Sequence, residues 1–144
     1  LLPEGTIFRQ RSNFGWETTV TSDAQCVELP MAVLVNGNTY SAAEFFAAEL
    51  QEMDWGVIVG EPTFGKGFSQ QTFPLASGGA VNLSTARYFT GEGVSLIGTG
   101  LTLDQEVALT EEQAAALSAG TLDPSEDPQL QAAIELLRET EEPS

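Results

Sequence analysis

The sequence predicts an α/β fold, and three observations carry that prediction. Met31 to Val35 and Val57 to Val59 are short, continuous apolar runs, the pattern of strands buried on both faces. Between them, Ser41 to Met53 consists of good helix formers, with Ala42, Phe45, Phe46, Ala47, Ala48, Leu50 and Met53 covering a wide apolar face. Strand, helix and strand within about 30 residues make a βαβ unit, whose strands pair in parallel. On either side lie stretches punctuated by turn residues that read as further strands, the later pair antiparallel.

The elements follow in order. Thr6 to Arg11 and Trp16 to Thr21 read as strands split by the turn Ser12-Asn13-Phe14-Gly15. Asn36-Gly37-Asn38 ends the first buried strand. Pro62-Thr63-Phe64-Gly65-Lys66-Gly67 is a glycine-flanked loop after the second. Phe68 to Leu75 and Ala80 to Phe89 read as a hairpin joined by Ser77-Gly78-Gly79. Thr110 and Gln113 fit a capping box ahead of an Ala/Leu run. Asp127-Pro128 sets a capping acid before a proline at the first helical position of a second helix. Both helices read as amphipathic, packed on the domain or on a neighbour.

Composition bounds the function. The 144 residues are 42% hydrophobic, which suits one domain with a modest core. There is no His, one Cys (Cys26) and one Lys (Lys66). Neither a Cys/His zinc site nor a histidine-based catalytic triad can be built from them. The net charge of −16 argues against nucleic acid, which needs clustered Lys/Arg, and against anionic membranes. That charge is uneven: residues 1–103 hold 10 acids and 4 bases, residues 104–144 hold 11 acids and one base, Arg138. The expected division is a core over residues 1–107 and an acidic helical extension over 108–144. The chain opens Leu1-Leu2-Pro3-Glu4-Gly5 without a methionine, which points to a piece of something larger.

Three residues could carry chemistry. Lys66 sits between two glycines after a buried strand, where the backbone can turn tightly and other atoms can approach. A solvent-exposed loop lysine fits the same pattern, and the spacing does not fit a Walker A loop. Ser41 stands where a strand meets a helix, and a helix N-terminus can stabilise an oxyanion. A plain N-cap serine with Glu44 completing a capping box fits equally. Gln70 alone would be an exposed strand residue. Taken together, and with histidine absent, lysine is the base a serine nucleophile could use. An unperturbed lysine has a pKa near 10.4, so about 0.04% is neutral at pH 7. Lowering it to about 7–8 takes roughly 4 kcal/mol, which desolvation can supply. Lys66 must then be buried and kept from Glu61 and other acids. Gln70 could hold the amine toward Ser41 without adding charge.

Val33-Leu34-Val35-Asn36, Ser41-Ala42-Ala43-Glu44 and Val59-Gly60-Glu61-Pro62-Thr63-Phe64-Gly65-Lys66-Gly67-Phe68-Ser69-Gln70 resemble the core of the carboxyl-terminal processing (tail-specific) serine peptidases. The likeness continues through Leu83 to Thr90 and Gly98-Thr99-Gly100-Leu101 to Asp104, covering roughly residues 1–107. The resemblance implies a partial ClpP/crotonase-like α/β core with one central catalytic helix. It implies a Ser-Lys endopeptidase acting near protein C-termini, with Ser41 as nucleophile, Lys66 as general base and Gln70 orienting the lysine. The N–H of Ala42 would be one oxyanion donor. Protein or peptide tails would be the partners, no metal or cofactor would be needed, and the setting would be extracytoplasmic. The chain departs from the family at Tyr40 and Ala43, where serines and alanines usually alternate, and at Gly91 and Leu103, where proline is common. The upstream PDZ domain and glycine-rich stretch that supplies a second oxyanion donor have no counterpart here. The expectation is therefore the C-terminal portion of a protease domain, with an exposed strand edge that could drive homo-oligomerisation. Two rivals stand beside the enzyme: a catalytically incompetent fragment, and a non-enzymatic peptide-binding module whose cleft a side chain such as Tyr40 fills. A third is an interaction protein working through residues 104–144.

Overall fold

The structure, a computed structural model, describes residues 1–141 and the side chains of residues 1–139. Residues 142–144 of the expected acidic extension lie outside the described residues. Two sheets form. An antiparallel sheet has the order β2-β1-β6-β5, from β1 (Gly5–Ser12), β2 (Glu17–Ser22), β5 (Phe68–Pro74) and β6 (Ala80–Phe89). A parallel sheet has the order β3-β4-β7, from β3 (Ala32–Val35), β4 (Val57–Gly60) and β7 (Gln105–Glu106). The two-residue β7 is absent from the sequence reading. Its residues, Gln105 and Glu106, are polar and exposed, and main-chain pairing to Val59 and Gly60 alone makes it a strand.

Helix α1 (Ala42–Glu52) crosses from β3 to β4 and lies between the sheets. Phe45 packs edge-on against Phe8 of β1 and Tyr88 of β6, with ring centroids 5.9 and 5.1 Å away. The same core takes Val35 and Ile58 from the parallel sheet and Leu96 and Leu101 from the following loops. Helix α3 (Pro128–Glu141) covers the other face of that sheet, where Ala132 and Ala133 meet Val59. Asp127 caps α3 as expected, accepting from the N–H groups of Gln129 and Leu130 at 2.9 and 3.1 Å. Helix α2 (Glu111–Ser118) has the expected capping box at Thr110 and Gln113 but buries no residue.

The expectation that the first apolar strand is buried on both faces needs correction. Strand β3 is an edge strand, and Leu34 is 41% exposed. Val33 and Val35 face the α1 core, while α3 shields Ala32 but leaves Leu34 open. Phe46, expected on the buried face of α1, is also largely exposed. A periodicity reads which side is apolar; it does not read whether a neighbour arrives to cover it. Among the described residues, no helix is long and apolar enough to cross a membrane.

Candidate active site

Ser41 follows the carboxyl end of β3 and immediately precedes α1; Lys66 follows the carboxyl end of β4. Two parallel strands thus deliver both residues to the same edge of the sheet, where open α/β sheets place their ligands. A cavity of about 360 Å3 lined by Met31, Trp55, Gly56 and Asp104 lies at the opposite end of β3 and β4.

Ser41 has φ 59° and ψ −124°, one of two non-glycine residues with positive φ among the described residues. Such a conformation costs of order 1–3 kcal/mol and persists where surrounding contacts over-determine it. Here the contact is Glu44, whose carboxylate accepts the Ser41 N–H at 2.9 Å. The chain thus turns sharply at Ser41, at the junction of strand and helix.

Glu44 does more than cap. It is fully buried. Its Oε2 accepts from the N–H groups of Ser41 and Lys66 at 2.9 and 3.0 Å. Its Oε1 accepts from the Gly65 N–H at 2.6 Å and the Thr63 hydroxyl at 2.7 Å. Four donors fill the four lone-pair positions of a carboxylate. One oxygen therefore ties the backbone of Ser41 to the backbone of Lys66. Thr63 passes the linkage on, its hydroxyl oxygen accepting from Leu101 N–H at 2.9 Å.

The loop that carries Lys66 depends on Gly65. Its φ is 78°, and a Cβ there would lie 2.9 Å from the main-chain atoms of Leu96, Gly98 and Gly100. Gly98 N–H also donates to the Gly65 carbonyl at 2.9 Å. Gly65→Ala is therefore expected to cost about 2 kcal/mol or more, from the left-handed conformation and the backbone clash together. A urea titration that leaves the midpoint of unfolding unmoved would contradict this.

The side chains of the expected site are less tightly joined than the backbones. Lys66 is half-buried. Among the described residues its Nζ has no hydrogen bond or ion pair, and it lies 5.7 Å from the centroid of the Tyr40 ring. Glu61 turns away, accepting from Leu109 N–H. Tyr40 packs edge-on against Phe64 at 6.3 Å. The Ser41 hydroxyl is 3.2 Å from the Tyr88 hydroxyl rather than bonded to Lys66. Gln70 is exposed on β5 opposite Ser84, just past a register shift, and makes no hydrogen bond to Lys66 or Ser41 among the described residues. Ala42 opens α1 at an exposed position, next to the serine, with its N–H at the helix N-terminus. Among the described residues, no group of three or more His, Cys, Asp or Glu could hold a metal ion.

Comparison with known proteins decides the family. Residues 1–107 match the model of peptidase family S41. The chain belongs to peptidase family S41. A carboxyl-terminal-processing protease of Synechocystis is 35% identical over 137 residues, covering 94% of this S41 chain and 31% of the relative. A carboxy-terminal-processing protease of Bartonella bacilliformis is 44% identical over 77 residues, covering 54% of this chain and 18% of the relative. Among solved structures, a photosystem II D1 C-terminal processing protease superposes with TM-score 0.65 at 33% identity, covering 74% of this chain and 28% of that one. An S41 protease structure from Bacteroides fragilis covers 99% of this chain and 40% of that one with TM-score 0.70, at an identity of 19% that speaks for the fold alone. The S41 chain thus spans less than a third of the length of these two curated relatives.

Two site residues escaped the sequence reading. In the sequence, Glu44 reads only as the partner of a cap. Its signal was available: a lone acid inside the run Ala42-Ala43-Glu44-Phe45-Phe46-Ala47-Ala48 must find donors if the helix is buried. Tyr88 gave less warning, since only the fold shows that its hydroxyl arrives beside Ser41.

Proposed function

We propose that this S41 chain carries the Ser-Lys site of a serine endopeptidase that cleaves proteins near their C-termini. Ser41 attacks the scissile carbonyl. Neutral Lys66 takes the serine proton and later returns it to the leaving amine, and Gln70 holds the lysine. The Ala42 N–H is one oxyanion donor. The substrate is a protein or peptide tail lying extended along a strand edge, as in β-augmentation. The reaction calls on no metal or cofactor. An extracytoplasmic setting and a ClpP/crotonase-like kinship of the core belong to the same reading, and both rest on the family likeness.

The observation that carries this reading is the shared Glu44 oxygen: it accepts from the backbone of Ser41, in a turn of positive φ, and from the backbone of Lys66. Two residues held through one atom can act as a pair once the Lys66 side chain swings toward Ser41, and catalytic hydrogen bonds are often loose before substrate binds. The test is cleavage of an apolar-tailed protein by a chain extended to the length of the relatives. Ser41→Ala and Lys66→Ala should each lower turnover by at least about 100-fold. Full activity in both variants would refute the pair.

A second reading is favoured by one observation. The Ser41 hydroxyl meets Tyr88, and Lys66 Nζ lies against the Tyr40 ring instead of the serine. In that reading the 144 residues alone are catalytically incompetent, or form a peptide-binding module. Assaying this chain beside the extended one separates the readings.

A further inference from the structure

Tyr88 sits on β6 with its ring held between Phe8 and Phe45, at centroid distances of 5.7 and 5.1 Å. It is 9% exposed. Its hydroxyl lies 2.7 Å from the Phe68 carbonyl, to which it donates. A carbonyl oxygen can only accept, so the single phenolic proton is spent there. The contact at 3.2 Å between the Tyr88 and Ser41 hydroxyls then has one consistent direction: Ser41 donates and Tyr88 accepts. Tyr88 also gives its backbone N–H to the Gly67 carbonyl at 3.0 Å. One residue therefore grips the two positions that follow Lys66 and takes the hydroxyl hydrogen of Ser41. The ring is wedged among aromatic neighbours, so its oxygen is a fixed point.

We propose that Tyr88 is a positioning residue for Ser41, its oxygen fixing the serine Oγ while its main chain and hydroxyl hold the strand that leads out of the Lys66 loop. This rests on the reading of Ser41 as nucleophile. A serine side chain turns freely about its first bond, and misplacing a reacting atom by about 1 Å can cost 100-fold in rate. The hydrogen bond to Tyr88 selects one placement of Oγ. When the serine O–H rotates toward Lys66, the phenol turns its own proton from the Phe68 carbonyl to Oγ, so the contact persists with its direction reversed and Oγ stays in place. A tyrosine that merely fills the core would satisfy its hydroxyl on Phe68 and owe nothing to Ser41.

The chain contains two tyrosines, Tyr40 and Tyr88, so 3-fluorotyrosine labelling yields two 19F resonances, and Tyr40→Phe assigns them. Ser41→Ala should shift the Tyr88 resonance by more than its linewidth, whereas Ser69→Ala on the neighbouring strand should leave it in place. A Tyr88 resonance indifferent to Ser41→Ala overturns the contact. In the extended, cleaving chain, Tyr88→Phe keeps the ring and should lower kcat about tenfold with KM within twofold. Unchanged kcat, or a loss accounted for by a lowered melting temperature alone, overturns the positioning role. Should Ser41→Ala itself spare cleavage, the nucleophile assignment falls and this proposal with it. Should Ser41→Ala abolish cleavage while Tyr88→Phe remains fully active, only the role of Tyr88 falls.

Discussion

Glu44→Ala is expected to abolish cooperative folding of the site and to lower the melting temperature by more than any other single substitution in α1. The carboxylate is fully buried and accepts four hydrogen bonds, from Ser41 N–H, Lys66 N–H, Gly65 N–H and the Thr63 hydroxyl. Its removal strands those donors, each at about 1–3 kcal/mol when buried. Two or three unpaired donors would consume much of the 5–15 kcal/mol that stabilises an ordinary domain. The positive φ of Ser41 would also lose the bond that holds it. Glu44→Gln is the sharper comparison. It preserves volume but turns an NH2 group toward donors that need an acceptor, so it should be destabilising too, by roughly half as much. Thermal denaturation followed by circular dichroism measures both. A Glu44→Gln chain that melts with the parent sequence would show that the clamp does not bear on stability.

Glu49→Gln should do the reverse at neutral and alkaline pH. Glu49 is 2% exposed, and one of its oxygens, Oε2, has no hydrogen-bond partner among the described residues. Burial pushes its pKa from an ordinary 4.5 to about 7; the Gly91 N–H at 2.6 Å opposes that, while Glu52 and Glu92 add to it. The folded state thus holds a proton that the unfolded chain gives up above about pH 4.5. Stability falls as pH rises from about 4.5 to about 7, and the whole cost is present above that. A shift of this size corresponds to no more than about 3–4 kcal/mol. Glu49→Gln should therefore be neutral near pH 4 and stabilising by up to that amount at pH 8, read from urea midpoints at the two values. Equal midpoint changes at both would mean that Glu49 does not titrate in this window.

How far these features could be read in advance depends on the range of the forces behind them. The βαβ unit, the hairpin turn at Ser77-Gly78-Gly79 and the caps of α2 and α3 follow from local rules, and the structure has them. Strand β7 does not, because its polar residues become a strand only when β4 offers an open edge. Leu34 and Phe46 are apolar residues on expected core faces, yet they are 41% and 43% exposed, because their neighbours cover them only in part. Gly65 and Lys66 stand out by their spacing along the chain. The reason the loop needs a glycine, the main chain of Leu96 to Gly100 pressed against it, comes from a segment about 30 residues away.

By itself, then, the sequence determined the α/β class, the order of the local elements, the lack of histidine within these 144 residues and the nomination of Ser41, Lys66 and Gln70. Each follows from residue type and from spacing along the chain. The tertiary structure alone decided that Glu44 joins the backbones of Ser41 and Lys66, that the Ser41 hydroxyl meets Tyr88, and that Lys66 Nζ faces Tyr40. Where they are hydrogen bonds to other elements, those contacts bridge 22 and 47 positions of sequence. Hydrogen-bond partners are chosen by distance in space, and only packing of the two sheets around α1 brings these atoms within reach.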